Sequence, residues 1–105
     1  MSKARMLADK VTTPTVVTTG TTAARDGGIY LCRTSTGAIT IQLPSSGSVQ
    51  IIDVDGSAST NNITVDPPAT DSIMDGSADE NMLIDLNWFA GTFTRRPSGT
   101  NWSVS

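Results

Sequence analysis

The central run Asp53-Val54-Asp55-Gly56, followed by Asn61, holds the densest group of side chains that could do chemistry. Carboxylate and amide oxygens in one loop are ligands for calcium. The spacing departs from an EF-hand loop, because the glycine comes too early and no glutamate closes the loop. Asp-Gly instead supplies the positive φ angles of a type I′ hairpin turn. We therefore expect a hairpin turn here, and Asp75-Gly76 predicts a second turn.

Nucleophilic and metal-binding side chains are too few for the common catalytic centres. The chain has no histidine, and Cys32 is its only cysteine. Ser-His-Asp and Cys-His pairs and the common zinc sites therefore cannot form. Paired carboxylates could serve glycoside hydrolysis, but a small domain with so few aromatic residues could scarcely enclose the necessary cleft. We expect no enzyme and no cofactor, and a buried, unreactive thiol at Cys32.

The aromatic pair Trp88-Phe89 and the basic pair Arg95-Arg96 are candidates for binding a partner. Neighbouring residues of a strand point to opposite faces, so one member of the aromatic pair should face the core and the other a subunit interface. Trp88 could instead form a stacking platform for a carbohydrate. The two arginines should form separate ion pairs rather than a phosphate-binding patch, and an acidic group of a neighbour is a suitable partner.

The first 24 residues differ from the rest in charge and composition. Residues 1–10 carry a net charge of +2 and residues 11–105 a net charge of −5, which gives −3 for the chain. Residues 11–22 are almost entirely β-branched, which favours extended structure. The pattern predicts an extended N-terminal arm, 1–24, that pairs outside a β domain, 25–105, with at most a helical turn near residues 6–10. The partner-binding candidates in the arm are Lys3, Arg5, Val16 and Val17.

Eight short runs with apolar alternation follow, at intervals of roughly ten residues, separated by turn-forming Gly, Pro, Asp and Ser. The runs are 28–33, 38–43, 48–54, 62–66, 72–74, 81–86, 91–94 and 102–104. Their period of two predicts the core side chains Ile39, Ile41, Leu43, Val49, Ile51, Ile63, Val65, Met82, Ile84 and Leu86. We predict an all-β fold, a small jelly-roll-like β-sandwich, with a short β-helical stack as the alternative.

Composition also bears on partners and location. A net charge of −3 argues against nucleic acid, which would call for a basic face. No run approaches the roughly 18 apolar residues of a membrane span, and no signal peptide is visible, so we expect synthesis in the cytoplasm and no membrane. Only 37% of residues are hydrophobic, so the core should be thin and completed by neighbouring subunits.

The order of motifs over residues 28–105 resembles a module of tailed-bacteriophage virion proteins. The segments that carry the resemblance are Ile39-Thr40-Ile41-Gln42-Leu43-Pro44, Val49-Gln50-Ile51-Ile52-Asp53-Val54-Asp55-Gly56, Asn61-Asn62-Ile63-Thr64-Val65, Ile73-Met74-Asp75-Gly76 and Gly99-Thr100-Asn101-Trp102. The chain is similar to the trimeric β domains of capsid decoration (cement) proteins and of head- or tail-fibre segments. It departs from them at Trp88-Phe89, where a small or polar step is usual.

The resemblance implies a homotrimeric, structural virion protein at the capsid surface. A chain of 105 residues without a long shaft favours a decoration protein, whose partners would be its own copies and the major capsid protein of the shell. The alternatives are a head- or tail-fibre subunit and a carbohydrate- or receptor-binding module.

Overall fold

The computed structural model describes residues 13–97 and 99–105, and these residues form two β-sheets. The strands are β1 Thr15–Val17, β2 Gly20–Ala23, β3 Gly28–Cys32, β4 Ile39–Gln42, β5 Ser48–Asp53, β6 Ile63–Asp66, β7 Ser72–Ile73, β8 Met82–Ile84, β9 Ala90–Arg95 and β10 Asn101–Val104. A 3₁₀ turn, Thr34–Thr36, follows β3. All eight predicted runs are confirmed as strands, β3 to β10, with ends that agree to within two residues.

Successive strands alternate between the two sheets as far as β9. The six-stranded sheet has the order β1-β3-β5-β9-β10-β7, and the four-stranded sheet has the order β2-β4-β6-β8. In each sheet the first three strands of the order are parallel. From β1 to β6 the chain therefore winds as three successive coils of a short β-helical stack. Antiparallel pairs of β8 with β6 and of β9 with β5 and β10 end the stack.

The all-β, two-sheet prediction is confirmed, but the predicted jelly-roll order is wrong. A jelly roll pairs its strands antiparallel in two Greek keys. Here the pairs β1–β3, β3–β5, β2–β4, β4–β6 and β7–β10 are all parallel. The β-helical alternative describes the observed chain path.

Residues 15–23 belong to the sheets, which differs from the predicted arm. β1 pairs with β3 and β2 pairs with β4, so this segment forms one edge of each sheet. Val17 is only 4% exposed and packs in the core. The expectation that this segment pairs outside the compact body is therefore wrong, because its β-branched residues extend both sheets of the same chain. The arm's first part, including the turn predicted near residues 6–10, lies outside the described residues.

The core lies between the inner faces of the two sheets. Its buried residues are Val17, Ala24, Tyr30, Cys32, Ile39, Ile41, Leu43, Val49, Ile51, Ala58, Ile63, Val65, Ile73, Ile84, Phe93 and Trp102. Nine of the ten predicted core residues lie in this cluster or, like Met82, pack against it. The exception is Leu86, which is 67% exposed because β8 ends at Ile84 and the alternation ends with it.

The two Asp-Gly turn predictions have different outcomes. At the second, the Gly76 N–H donates to the Ile73 carbonyl over 3.0 Å, and Met74 and Asp75 both have positive φ, as in a type I′ turn. The hairpin predicted at Asp55-Gly56 is wrong. β5 and β6 lie in different sheets, so the loop after β5 crosses from one sheet to the other.

Candidate interaction surfaces

The carboxylate of Asp53 is the centre of a buried network at the end of β5. It is 2% exposed and accepts five hydrogen bonds. Its Oδ1 accepts the Thr34 hydroxyl at 2.6 Å and two backbone N–H groups of the following loop. Its Oδ2 accepts the N–H of Ala58 at 3.2 Å and that of Trp88 at 3.0 Å. One side chain thus joins three loops that are far apart in sequence.

The charge of Asp53 is maintained despite its burial. Removal from water favours the neutral acid, but the hydrogen bonds from Thr34, Trp88, Gly56 and Ala58 favour the carboxylate and hold its pKa below the usual value. The Thr34 hydroxyl in turn accepts the Ser57 N–H at 3.0 Å. The network is therefore ionised at neutral pH and fixes the loop after β5.

Trp88 is held in an exposed position by this network. Its backbone has φ +63°, a conformation unusual for a bulky residue, and its N–H is bound to Asp53. Its indole lies against Gly56, where an added Cβ would come within 2.2 Å of the ring. The side chain is nevertheless 66% exposed. Trp88 is thus an exposed aromatic side chain on a fixed backbone.

Phe89, the other member of the aromatic pair, faces the core. It is partly buried, and its ring centroid lies 6.3 Å from that of Phe93. An added Cβ at Gly91 would come within 2.6 Å of the Phe89 ring, so the glycine leaves room for it. The pair therefore points to opposite sides, with Trp88 outward.

Arg95 and Arg96 make separate contacts within the chain. The Arg95 Nε donates to the buried carboxylate of Asp71 at 2.8 Å, and the Trp102 indole N–H donates to the same carboxylate at 3.0 Å. The Arg95 hydrogen bond, helped by that of Trp102, outweighs burial and lowers the pKa of Asp71. Arg96 is exposed, and its Nε donates to Ser103 at 3.3 Å. Arg95 is therefore used inside the subunit, whereas Arg96 faces outward.

The outer face of the six-stranded sheet carries a row of apolar side chains. Val16 is paired with Leu31, Leu31 with Ile52, and Ile52 with Ala90. These residues alternate with the buried ones along their strands, so they point away from the core. Val16 is 58% exposed. We call these four residues the apolar row.

The groove beside the start of β1 and β3 has a volume of about 590 Å³, and four of the eight residues that line it carry a hydroxyl group. It is bordered by Thr13, Thr15, Thr22, Arg25 and Tyr30, among others. The Tyr30 hydroxyl accepts the Arg25 N–H at 2.8 Å, which fixes one wall. Among the residues that the structure describes, no predicted partner-binding residue borders this groove.

Cys32 is buried, as predicted. Burial, with the charge of Asp53 nearby, raises the pKa of its thiol to about 12, so the thiolate is scarce at neutral pH. Within residues 13–97 and 99–105, no three Asp, Glu or Cys side chains are grouped closely enough to hold a metal ion. The described part of the chain also contains no helix that is long and apolar enough to cross a membrane.

The predicted partner-binding residues thus fall into separate places. Trp88, Arg96 and Val16 are exposed, whereas Val17, Phe89 and Arg95 pack within the subunit. Lys3 and Arg5 lie outside the described residues.

Sequence reasoning missed the burial of the Asp53 and Asp71 carboxylates. Asp53 continues the inward-facing positions Val49 and Ile51 of β5, so the period of two could have placed it in the core. Asp71 follows a Pro-Pro turn without any such pattern.

No protein-family model matches this chain, and no significant match was found among curated proteins.

Proposed function

We propose that this protein is a structural virion component, a capsid decoration protein that binds the assembled phage head as a homotrimer and stabilises it. The motif order over residues 28–105 motivates the proposal. The observation that carries it in the structure is Trp88, a 66% exposed side chain whose backbone is fixed by the buried carboxylate of Asp53. Interface anchors are typically aromatic side chains held in place before binding, because little conformational entropy is then lost.

Other exposed apolar side chains also suit a protein that works by surface contact. Leu86 is close to Trp88 in sequence and 67% exposed, and Leu83 on the edge strand β8 is 55% exposed. A small subunit that leaves such side chains in water gains by covering them with a partner. In this proposal the loop 85–89 contacts the major capsid protein of the shell.

Shell binding is the direct test. Phage heads lacking the protein should lose resistance to heat, measured as release of packaged DNA, and adding the purified protein should restore it. Trp88→Ala should weaken binding to such heads at least tenfold, whereas Ser77→Ala on another loop should bind normally. Heads that are equally heat-resistant with and without the protein would contradict the proposal.

A carbohydrate-binding role is the second candidate, and the Trp88 ring favours it. The indole rests on Gly56, while most of the side chain is open to solvent, which is the arrangement of a platform for stacking on a sugar ring. A glycan array, followed by Trp fluorescence with any sugar that binds, distinguishes the two roles. Sugar binding that disappears in Trp88→Ala would favour this candidate, and a silent array would count against it.

A further inference from the structure

We propose that the outer face of the six-stranded sheet is the surface through which copies of this chain associate, with the apolar row along the symmetry axis of the trimer. The inference rests on the homotrimer of the proposed function and names the face that forms it.

Within its strands, the outward positions of the six-stranded sheet carry no charged side chain, and Arg96, which follows β9, reaches this face at β10 through its hydrogen bond to Ser103. Besides the apolar row they hold Ile29 and a set of Ser, Thr, Gln and Asn residues. The charged residues of these strands, Asp53 and Arg95, belong to the buried hydrogen-bond networks. Depletion of charge around an apolar centre is typical of the middle of a protein interface.

The absence of acidic side chains from these outward positions points to a second copy as the occupant. Each chain has a net charge of −3, so identical chains repel one another wherever acidic surfaces meet. A face without acidic side chains avoids this repulsion in self-association. The outer face of the four-stranded sheet is less suited to it, because it carries Asp66 and, on β8, only one large apolar side chain, Leu83.

The direction of the apolar row fits a three-fold axis. The row crosses four neighbouring strands, which lie about 4.8 Å apart, so its side chains succeed one another along the stacking direction of the coils. An axis along this direction brings three identical side chains together at each strand: three Leu31, then three Ile52. Apolar side chains that are partly exposed in one subunit become buried in the trimer.

The test is a pair of matched charge substitutions, Ile52→Glu in the row and Leu83→Glu on the other sheet. Light scattering should give three times the 11.0 kDa of one chain for the wild type and for Leu83→Glu, and the mass of one chain for Ile52→Glu. Circular dichroism shows whether each variant is folded. A trimeric Ile52→Glu protein, or dissociation by Leu83→Glu alone, would overturn the assignment of the face.

A second pair of variants keeps the test decisive if Ile52→Glu does not fold. Ile52→Cys and Leu83→Cys are treated with a short bismaleimide, to which the buried Cys32 should be inert. Ile52→Cys should yield covalently linked chains on denaturing gels, and Leu83→Cys should not. Linking through Leu83→Cys instead would overturn the proposal.

The outcomes separate this inference from the proposed function. A monomeric wild-type protein would contradict both the proposed trimer and the proposed interface. If the wild type is a trimer and Ile52→Glu leaves it intact, only the proposed interface is contradicted. Dissociation by Ile52→Glu, together with failure of the wild type to bind phage heads, would support the interface and contradict the decoration role.

Discussion

At the scale of single residues, Asp53 determines where Trp88 lies. Its Oδ2 accepts the N–H groups of Ala58 and Trp88, and its Oδ1 accepts the Thr34 hydroxyl and two further N–H groups. Both oxygens must therefore be acceptors. An amide at this position would direct an NH₂ group at those donors or lose the bonds made by Oδ1. Buried donors without partners destabilise the folded state.

Asp53→Asn is therefore expected to lower the free energy of unfolding by about 2 to 3 kcal/mol. It should also loosen the Trp88 loop, seen as faster acrylamide quenching of Trp fluorescence. Asp66→Asn, on the outer face of β6, is the matched control and should change stability by less than about 0.5 kcal/mol. Equal effects of the two substitutions on the free energy of unfolding would show that the Asp53 hydrogen bonds do not stabilise the fold more than an exposed carboxylate does.

The buried carboxylates also set the response to acid. Asp53 and Asp71 have lowered pKa values, so the folded chain binds fewer protons than the unfolded chain as these groups titrate. Their contribution to stability is fully present above the unfolded pKa, about 4, and is lost as the pH falls through the folded pKa. Urea denaturation at a series of pH values should thus show a decline below about pH 4 and a shallower one in Asp53→Asn. A loss of stability that is complete by pH 5 would not fit these groups.

At the scale of elements, the contact between Gly56 and Trp88 couples the loop after β5 to the loop before β9. Both Gly56 and Gly20 have positive φ, +73° and +82°, but an added Cβ meets the indole only at Gly56 and has open space at Gly20. Alanine substitutions at the two positions therefore distinguish the cost of backbone strain, which both share, from that of a steric clash with the indole, which only Gly56 has.

Gly20→Ala is expected to cost about 1 kcal/mol, from the left-handed backbone alone. Gly56→Ala should cost at least about 1 kcal/mol more and displace the Trp88 ring, which a shift in Trp emission reports. If Trp88 is the shell anchor, Gly56→Ala should also reduce head binding while Gly20→Ala retains it. Equal costs and unchanged emission in both variants would argue against a close contact.

The positions of the strands were predictable from the sequence, because they depend on the residues of each strand alone, whereas the pairing of the strands was not. The strands β3 to β10 follow from alternation and turn residues, since inward side chains such as Ile39 and Ile41 must be apolar in any sheet. Pairing was not predictable, because side chains alternate with a period of two in parallel and antiparallel strands alike. The hairpin expected after β5 failed for this reason: Asp-Gly indicates a bend but not which sheet the next strand joins.

The candidate surfaces were predictable in residue type more than in position. One member of the pair Trp88-Phe89 was expected to face a partner; Trp88 is exposed, whereas Phe89 packs against the core. Its fixed backbone depends on Asp53, which lies 35 residues away in sequence, and no local pattern reports such a contact. The apolar row depends on the register of four strands, which only the fold defines.

At the scale of the whole molecule, the β-helical path makes the N-terminal coil an edge of both sheets. β1 and β2 each pair on one side, with β3 and β4, and Val17 contributes to the core. Removing this coil would uncover the edges of β3 and β4 and open the core beside Cys32, which is paired with Val17. Uncovered strand edges favour aggregation.

Two truncations locate where the folded unit begins. A chain that starts at Thr13 retains β1 and β2 and is expected to keep the thermal stability and the mass of the full-length protein in light scattering. A chain that starts at Arg25 loses both strands and the Val16 end of the apolar row, so it should melt at a markedly lower temperature and aggregate. If the Arg25 chain is as stable and as trimeric as the full-length protein, β1 and β2 contribute neither to the core nor to association. If the Thr13 chain dissociates while remaining folded, residues 1–12 take part in holding the copies together. Contacts of the apolar row would then be insufficient to form the trimer.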